Sequence, residues 1–348
     1  MIKLLLLICS LSFPLFANSK IHENVLICGI CRDVETRLPY TIKIMEQIGE
    51  LFDDYKIIVY ENNSKDDTRN LLKNWKHSNA KVFSISEDVL KSDLEKVIVN
   101  KNTNGSFFRP EEIARARNIV QDIAMSKRFS KYKYIIWMDM DFKIPPKFEG
   151  IIETFQSTQE WDAVLAYGID PPGYFWDWYA FRDTIYPLGS ELLGNDWWYM
   201  PKQLKLDQKD DWYPVYSAFG GCGIYKKSSI KGCRYSAVVT EDLEKLTRVL
   251  IDQGTCEEHP QILKYLTSIN SLEDILKIDK PRPNLPKIEH SNVGIILNDF
   301  QQPVIWRMST FVYQYPSVCE HVPFHSSMIM KGHGKIFINP RLLFTYGG

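Results

Sequence analysis

Short unbroken apolar runs stand at residues 25–31, 134–138 and 163–167. Runs without polar alternation predict strands buried on both faces, as in a parallel sheet covered by helices. Residues 56–60, 81–84 and 335–338 predict three further strands. Between them the pattern turns helical. A helix is expected over 39–51, with Pro39 in its first turn. Asp66, Asp67 and Thr68 are suited to cap a helix running to Trp75. A long helix is expected over 111–129, with Glu111 and Glu112 at its start and Lys127 and Arg128 at its end, as the helix dipole favours. Residues 148–157 and 320–331 predict two more. Strands alternating with helices mean an α/β fold with a mainly parallel sheet flanked by helices. Such sheets bind ligands beyond the carboxyl ends of their strands. Arg32-Asp33, Glu61-Asn62 and Asp139-Met140-Asp141 come directly after strands, so they are the first residues to read for chemistry.

The N-terminus departs from this pattern. Met1-Ile2-Lys3 leads into an apolar stretch over 4–16 that ends at Ala17. A charge, a short apolar core and a small residue describe a secretory signal peptide or N-terminal anchor over 1–19. This predicts a place in the secretory-pathway lumen, or an exported or membrane-associated protein. The remaining 20–348 read as one domain, with halves 20–145 and 146–348. Residues 237–310 are polar and mixed, with Pro281, Pro283 and Pro286, and read as an inserted surface excursion. Between 170 and 216 lie Trp176, Trp178, Trp197, Trp198 and Trp212, five of the nine tryptophans, and Gly220-Gly221 come soon after.

Composition excludes some classes. Lys and Arg number 42 against 43 Asp and Glu, for a net charge of −1, so bulk attraction to nucleic acid is not expected. Besides Cys9 there are six cysteines, an even number that permits disulfides in an exported chain. Cys28 and Cys31 lie in an apolar run with no second such pair, so they read as small strand residues rather than a redox or metal pair.

Asp139-x-Asp141 offers two carboxylates at a strand end, oxygen ligands suited to Mg²⁺ or Mn²⁺ shared with substrate phosphates. A helix cap with a solvated neighbour explains the same pair. Arg115 and Arg117 lie two apart on the long helix, so only one can face a given ligand. His321 and His325, four apart, can meet on one helix face and complete a metal site, or serve as ordinary helix residues. The aromatic stretch with Trp176, Asp177, Arg182, Asp183 and Asp196 offers stacking faces and hydroxyl partners for sugars, or a packed core.

Taken in order, Glu61-Asn62-Asn63-Ser64 with Asp66 and Thr68, then Arg115-Ala116-Arg117-Asn118, then Asp139-Met140-Asp141, then Gly220-Gly221 and a late acid before a helix resemble the nucleotide-sugar glycosyltransferases of GT-A fold, in their family 2-like branch. The stretches at Glu61–Ser64, Phe175–Asp183, Arg234–Ser236 and Cys319-Glu320 also look like the fungal capsule-associated α-1,3-mannosyltransferases. The resemblance implies a UDP- or GDP-sugar donor, a glycan or glycoconjugate acceptor, and Mn²⁺ or Mg²⁺. It implies that Arg32, Glu61, Asn62, Arg117 and Asp139 contact the donor. Asp139, Asp141, His321 and His325 are then the metal set. Trp176, Asp177, Arg182, Asp183, Gly220 and Gly221 are the acceptor set. Two residues compete as the late acid, Glu320 and Asp242. Glu320 is favoured because its helix leads into a glycine-rich turn and a strand. Two rival readings are a sugar-phosphate nucleotidyltransferase, whose glycine-rich basic signature is missing after the first strand, and a non-catalytic glycan-binding protein on the same fold.

Overall fold

In a computed structural model of the chain, the described residues are 20–98, 106–142, 144, 147–187, 189, 204–253, 295–297, 303–305 and 318–346. The expected leader over 1–19, Asp196, Trp197, Trp198, Cys256, Pro281, Pro283 and Pro286 lie outside them.

The described residues form ten strands: β1 (Ile21–Cys31), β2 (Phe52–Asn62), β3 (Val82–Glu87), β4 (Tyr134–Met138), β5 (Ala163–Ile169), β6 (Tyr213–Pro214), β7 (Cys222–Lys226), β8 (Ile295–Leu297), β9 (Pro303–Ile305) and β10 (Ile336–Thr345). Eight form one sheet in the order β3-β2-β1-β4-β7-β5-β10-β6, and β8 pairs with β9 apart from it. β3, β2, β1 and β4 are mutually parallel, as are β5 and β10. β7 runs antiparallel to both its neighbours, β4 and β5. The mainly parallel α/β sheet expected from the sequence is therefore present, with one reversed strand inside it.

Alternate residues of the apolar runs serve two different cores. Leu26, Cys28, Ile58, Tyr60, Ile135 and Trp137 face one side. Val25, Ile27, Ile57, Val59, Ile136 and Met138 face the other. The helices are α1 (Leu38–Glu50), α2 (Thr68–Ser78), α3 (Lys91–Leu94), α4 (Arg109–Ala124), α5 (Glu149–Gln156), α6 (Glu241–Asp252) and α7 (His321–Met330). α1, α2 and α5 cover the Val25 side through Ile44, Leu72 and Ile151. α4, α6 and α7 cover the Leu26 side through Val120, Leu243 and Phe324. α4 and α7 thereby lie on one face, a placement the site depends on.

Three expectations need correction. The helix over 111–129 ends at Ala124, and Lys127–Phe129 form a separate 3-10 turn, so the basic pair does not sit in its last turn. The excursion over 237–310 does not begin at 237: Ala237, Val239, Leu243, Leu246 and Leu250 are buried. The permitted disulfides do not form among the described residues, where Cys28, Cys31, Cys222, Cys233 and Cys319 are free and buried. Burial raises the Cys28 and Cys222 thiols far above their usual range, which suits inert strand residues.

Candidate active site

Because β7 is reversed, its start lies beside the end of β4, with Cys222 opposite Met138. The Asp139 N–H donates to Gly221 O at 3.0 Å. Gly220 and Gly221 take φ of +63° and +88°, and a Cβ on Gly220 would stand 2.1 Å from Ala166 O. Only glycine fits such an approach. Asp177 Oδ2 accepts from the Phe219 and Gly220 N–H groups at 2.6 and 2.7 Å. Burial pushes this carboxyl up to about 7, against the pull of the same two N–H groups. Asp177, Gly220 and Gly221 thus build the loop beside Asp139.

Arg117 enters this place from α4. Its Nε donates to Glu320 Oε1 at 3.1 Å, and Nη2 lies 3.5 Å from Asp139 Oδ1. Its guanidinium packs over Phe219, Trp137 and Tyr235 at 4.6, 5.3 and 5.7 Å from the ring centroids, where ring quadrupoles favour a cation. The side chain is 4% exposed. Arg117 therefore bridges two carboxylates inside the protein, rather than standing open to a diphosphate as expected. Glu320 sits at the cap position of α7, itself nearly buried.

Asp139 keeps 28% of its side chain exposed. Burial pushes its carboxyl up to about 6, and Asp141 and Glu320 push the same way, while Arg117 and the Tyr346 hydroxyl, which donates to Oδ2 at 2.8 Å, oppose them. Asp141 is half exposed, with Arg37 Nη1 3.9 Å from its Oδ2. Arg37 also donates to the Asp141 carbonyl at 3.1 Å. A carboxylate whose charge is disfavoured by burial and by a neighbouring Asp141, at an open strand end, fits a hard divalent cation that takes its remaining ligands from water and substrate. Among the described residues no group of three or more His, Cys, Asp or Glu can by itself hold a metal.

The histidines part company here. His325 is fully engaged, with Ser217 Oγ 2.9 Å from Nδ1 and Tyr225 Oη 3.0 Å from Nε2. Burial lowers its pKa to about 3. It is a neutral core residue, a correction to its expected metal role. His321 stacks on Phe219 at 4.1 Å, and neither ring nitrogen has a hydrogen-bond partner. Burial and Arg117 hold it well below its usual pKa, so it too is neutral. Its Nε2 lies 3.4 Å from Glu320 Oε1.

The remaining expected residues divide similarly. Glu61 is 0% exposed, accepts from the Ser64 N–H at 2.8 Å and pairs with Arg69 Nε at 3.0 Å. It shapes the turn after β2 and cannot reach a base, again a correction. Asn62 donates to Asn63 Oδ1, and Asn63 in turn is bound to the Val89 backbone. Arg32 pairs with Glu112 at 3.1 Å and stays partly exposed. Arg182 is buried and donates to the Tyr179 and Phe181 carbonyls, and Asp183 accepts from Tyr213 Oη and two backbone N–H groups. Both are scaffold, not acceptor contacts. Trp176 is 48% exposed. Asp242 lies 3.7 Å from Lys331 Nζ, at the far end of α7 from Glu320. The ten-residue helix sets Glu320 and Lys331, eleven steps apart, at its two ends, roughly 16 Å from each other. The fold brings Glu320, not Asp242, to the Asp139 cluster. Tyr346 and Arg37 escaped sequence reading, because one stands past the last strand and the other precedes a helix with no motif around either.

No protein-family model and no curated protein matches the chain. Among solved structures it is similar to a mannosyltransferase from Pyrobaculum calidifontis in complex with GDP-Man and Mn²⁺, at 10% identity over 69% of this chain and 56% of that one, TM-score 0.37. It is similar to S. aureus TarS 1-349, at 10% identity over 72% and 76%, TM-score 0.37. It is also similar to glucosyl-3-phosphoglycerate synthase from Mycobacterium tuberculosis with Mn²⁺ and UDP, at 13% identity over 61% and 59%, TM-score 0.32. The match spans little more than half of the mannosyltransferase. At these values the likeness concerns the course of the chain and carries no argument about any residue's role.

Proposed function

We propose that this protein is a GT-A-type glycosyltransferase that moves a sugar from a nucleotide-diphosphate donor to a glycan or glycoconjugate acceptor with a divalent cation, Mn²⁺ or Mg²⁺. The observation that carries the reading is the Asp139-Asp141 pair at the carboxyl end of β4, joined through Arg117 to Glu320. Asp139 and Asp141 would hold the cation. When bound, it offsets the charge that develops on the departing nucleoside diphosphate. Arg117 holds Glu320 in place beside the pair through the 3.1 Å bond from its Nε to Oε1. In an inverting reaction Glu320 takes the proton of the acceptor hydroxyl; in a retaining one it orients the substrate. Arg32, at the end of β1, faces the donor. The resemblance to the α-1,3-mannosyltransferases makes a mannosyl donor the first to test. The charge, short apolar core and small residue over 1–19 support a secretory-lumen or membrane-associated setting.

Calorimetric titration with UDP and GDP, with and without Mn²⁺, tests this. The expected result is Mn²⁺-dependent binding of one nucleotide that disappears in Asp141→Ala. A folded protein that binds neither nucleotide, nor CMP, with or without Mn²⁺ removes the reading and moves the glycan-binding alternative ahead.

A further inference from the structure

Tyr346 stands one residue beyond β10, where three chain segments meet. Its N–H donates to Ile169 O at the end of β5, at 2.8 Å. Its hydroxyl donates to Asp139 Oδ2 at the end of β4, at 2.8 Å. Its ring stacks on Trp176, with centroids 5.4 Å apart and planes 27° apart. The absence of a side chain on Gly221 makes room, since a Cβ there would lie 2.6 Å from Tyr346 Oη. Trp176 is fixed in turn, its N–H donating to Gly168 O at 2.9 Å. Trp176 is 48% exposed, its backbone tied to the end of β5 and its ring stacked on a tyrosine that bonds Asp139.

Both halves of this arrangement have a physical use. A carboxylate that binds a cation is positioned by the groups that hydrogen-bond it, and such groups commonly change affinity without touching the metal. A rigid aromatic face costs little conformational entropy to bring against an apolar surface. The C–H face of a pyranose is such a surface, and the nearby carboxylates supply acceptors for its hydroxyls. We infer that Tyr346 is a positioning residue for Asp139, and that the Trp176 ring stacked on it forms a subsite for a pyranose ring. The cation part rests on the proposed function; the sugar subsite stands without it.

Tyr346→Phe and Trp176→Ala in the full chain test the two halves separately. Mn²⁺ uptake is measured by electron paramagnetic resonance. Pyranose binding is measured by saturation-transfer NMR with methyl α-D-mannopyranoside and methyl β-D-glucopyranoside. Tyr346→Phe keeps the stacked ring, so it is expected to weaken Mn²⁺ about tenfold and leave saturation transfer unchanged. Trp176→Ala is expected to abolish saturation transfer and leave Mn²⁺ affinity unchanged. Comparing GDP-mannose and UDP-glucose with the bare nucleotides identifies the source of the ring. If Trp176→Ala weakens a nucleotide-sugar but not its nucleotide, the donor sugar occupies the subsite; if it weakens neither while the pyranoside signal is lost, the acceptor does. Wild-type Mn²⁺ affinity in Tyr346→Phe overturns the positioning role. Saturation transfer that persists in Trp176→Ala, or is absent from the wild type, overturns the subsite. A wild type that takes up no Mn²⁺ overturns the positioning role together with the function it rests on, while the pyranoside arm needs no cation and decides the subsite alone.

Discussion

At the end of β2, two loops are laced together by reciprocal hydrogen bonds. Asp33 and Ser64, Val34 and Thr68, and Glu35 and Asp66 are tied by side chain to backbone at 2.8–3.1 Å. Lys65 and Asp67 return the bonds to Asp33 and Glu35 at 2.7 and 2.6 Å. Glu61 is sealed beneath by Ser64 and Arg69. At the end of β4 the opposite holds. Arg117 Nη1, Trp137 Nε1, Tyr235 Oη and both His321 nitrogens are buried without a hydrogen-bond partner. Both places lie just past a buried parallel strand and both are rich in acids. The difference teaches which one is finished. A closed network rigidifies a clasp between two loops. Buried polar groups without partners are costly, and they persist where binding or chemistry uses them.

Breaking each region separates the two. The largest effect is expected from Arg117→Met, which leaves the buried Glu320 carboxylate unpaired and costs about 3–5 kcal/mol. Urea unfolding measures it, and cation binding should change at the same time because Asp139 and Glu320 lose the group that positions them. Glu61→Ala takes the partner from the Ser64 N–H and from Arg69 Nε, while Arg69 keeps its bonds to Asp88 and the Glu87 carbonyl, and should cost about 1–3 kcal/mol. Its cation affinity should match the wild type, since the clasp does not touch Asp139; a parallel loss of affinity would merge the two regions into one.

A pH experiment sharpens the comparison further. Asp139 holds its proton in the folded state up to about 6, against an ordinary 3.8. The native state therefore binds more protons than the unfolded chain between these values, and stability falls as pH rises through that window. The contribution is fully present below about 3.8 and lost above about 6. Asp139→Asn should gain on the wild type in urea midpoint at pH 7 and lose that advantage at pH 3.5. An unchanged difference between the two pH values would place the carboxyl in ordinary solvent. The smallest effect is expected from Tyr235→Phe, which removes only a hydroxyl without a hydrogen-bond partner. Its stability should stay within about 0.5 kcal/mol of the wild type; a larger loss would mean that a bound water answers the hydroxyl.

Much of the fold was legible. The runs at 25–31, 134–138 and 163–167 lie within or match β1, β4 and β5, because a strand buried on both faces has no polar positions to break its pattern. Asp139 and Asp141 were legible for the same reason, as the first acids after such a strand. β7 was not. Its Cys222–Lys226 segment is short and glycine-bearing, and reversal of direction leaves no mark on a sequence. Missing it hid why Gly220 and Gly221 matter. Likewise, His321 and His325 are equivalent by helical spacing, yet one bonds Ser217 and Tyr225 and the other has no hydrogen-bond partner.

By itself, then, the sequence determined the α/β class, the strands of the parallel sheet and the acidic pair at its carboxyl edge, since each is written in local periodicity and in the residues next to it along the chain. Tertiary structure decided which acid joins that pair, because Arg117 and Glu320 are 203 residues apart and meet only when α4 and α7 pack on one face of the sheet. It also decided that Glu61, Arg182 and Asp183 are buried in hydrogen-bond networks, and that the Tyr346 hydroxyl meets Asp139. Hydrogen-bond partners and burial are properties of contacts between distant segments, and no spacing along the chain encodes them.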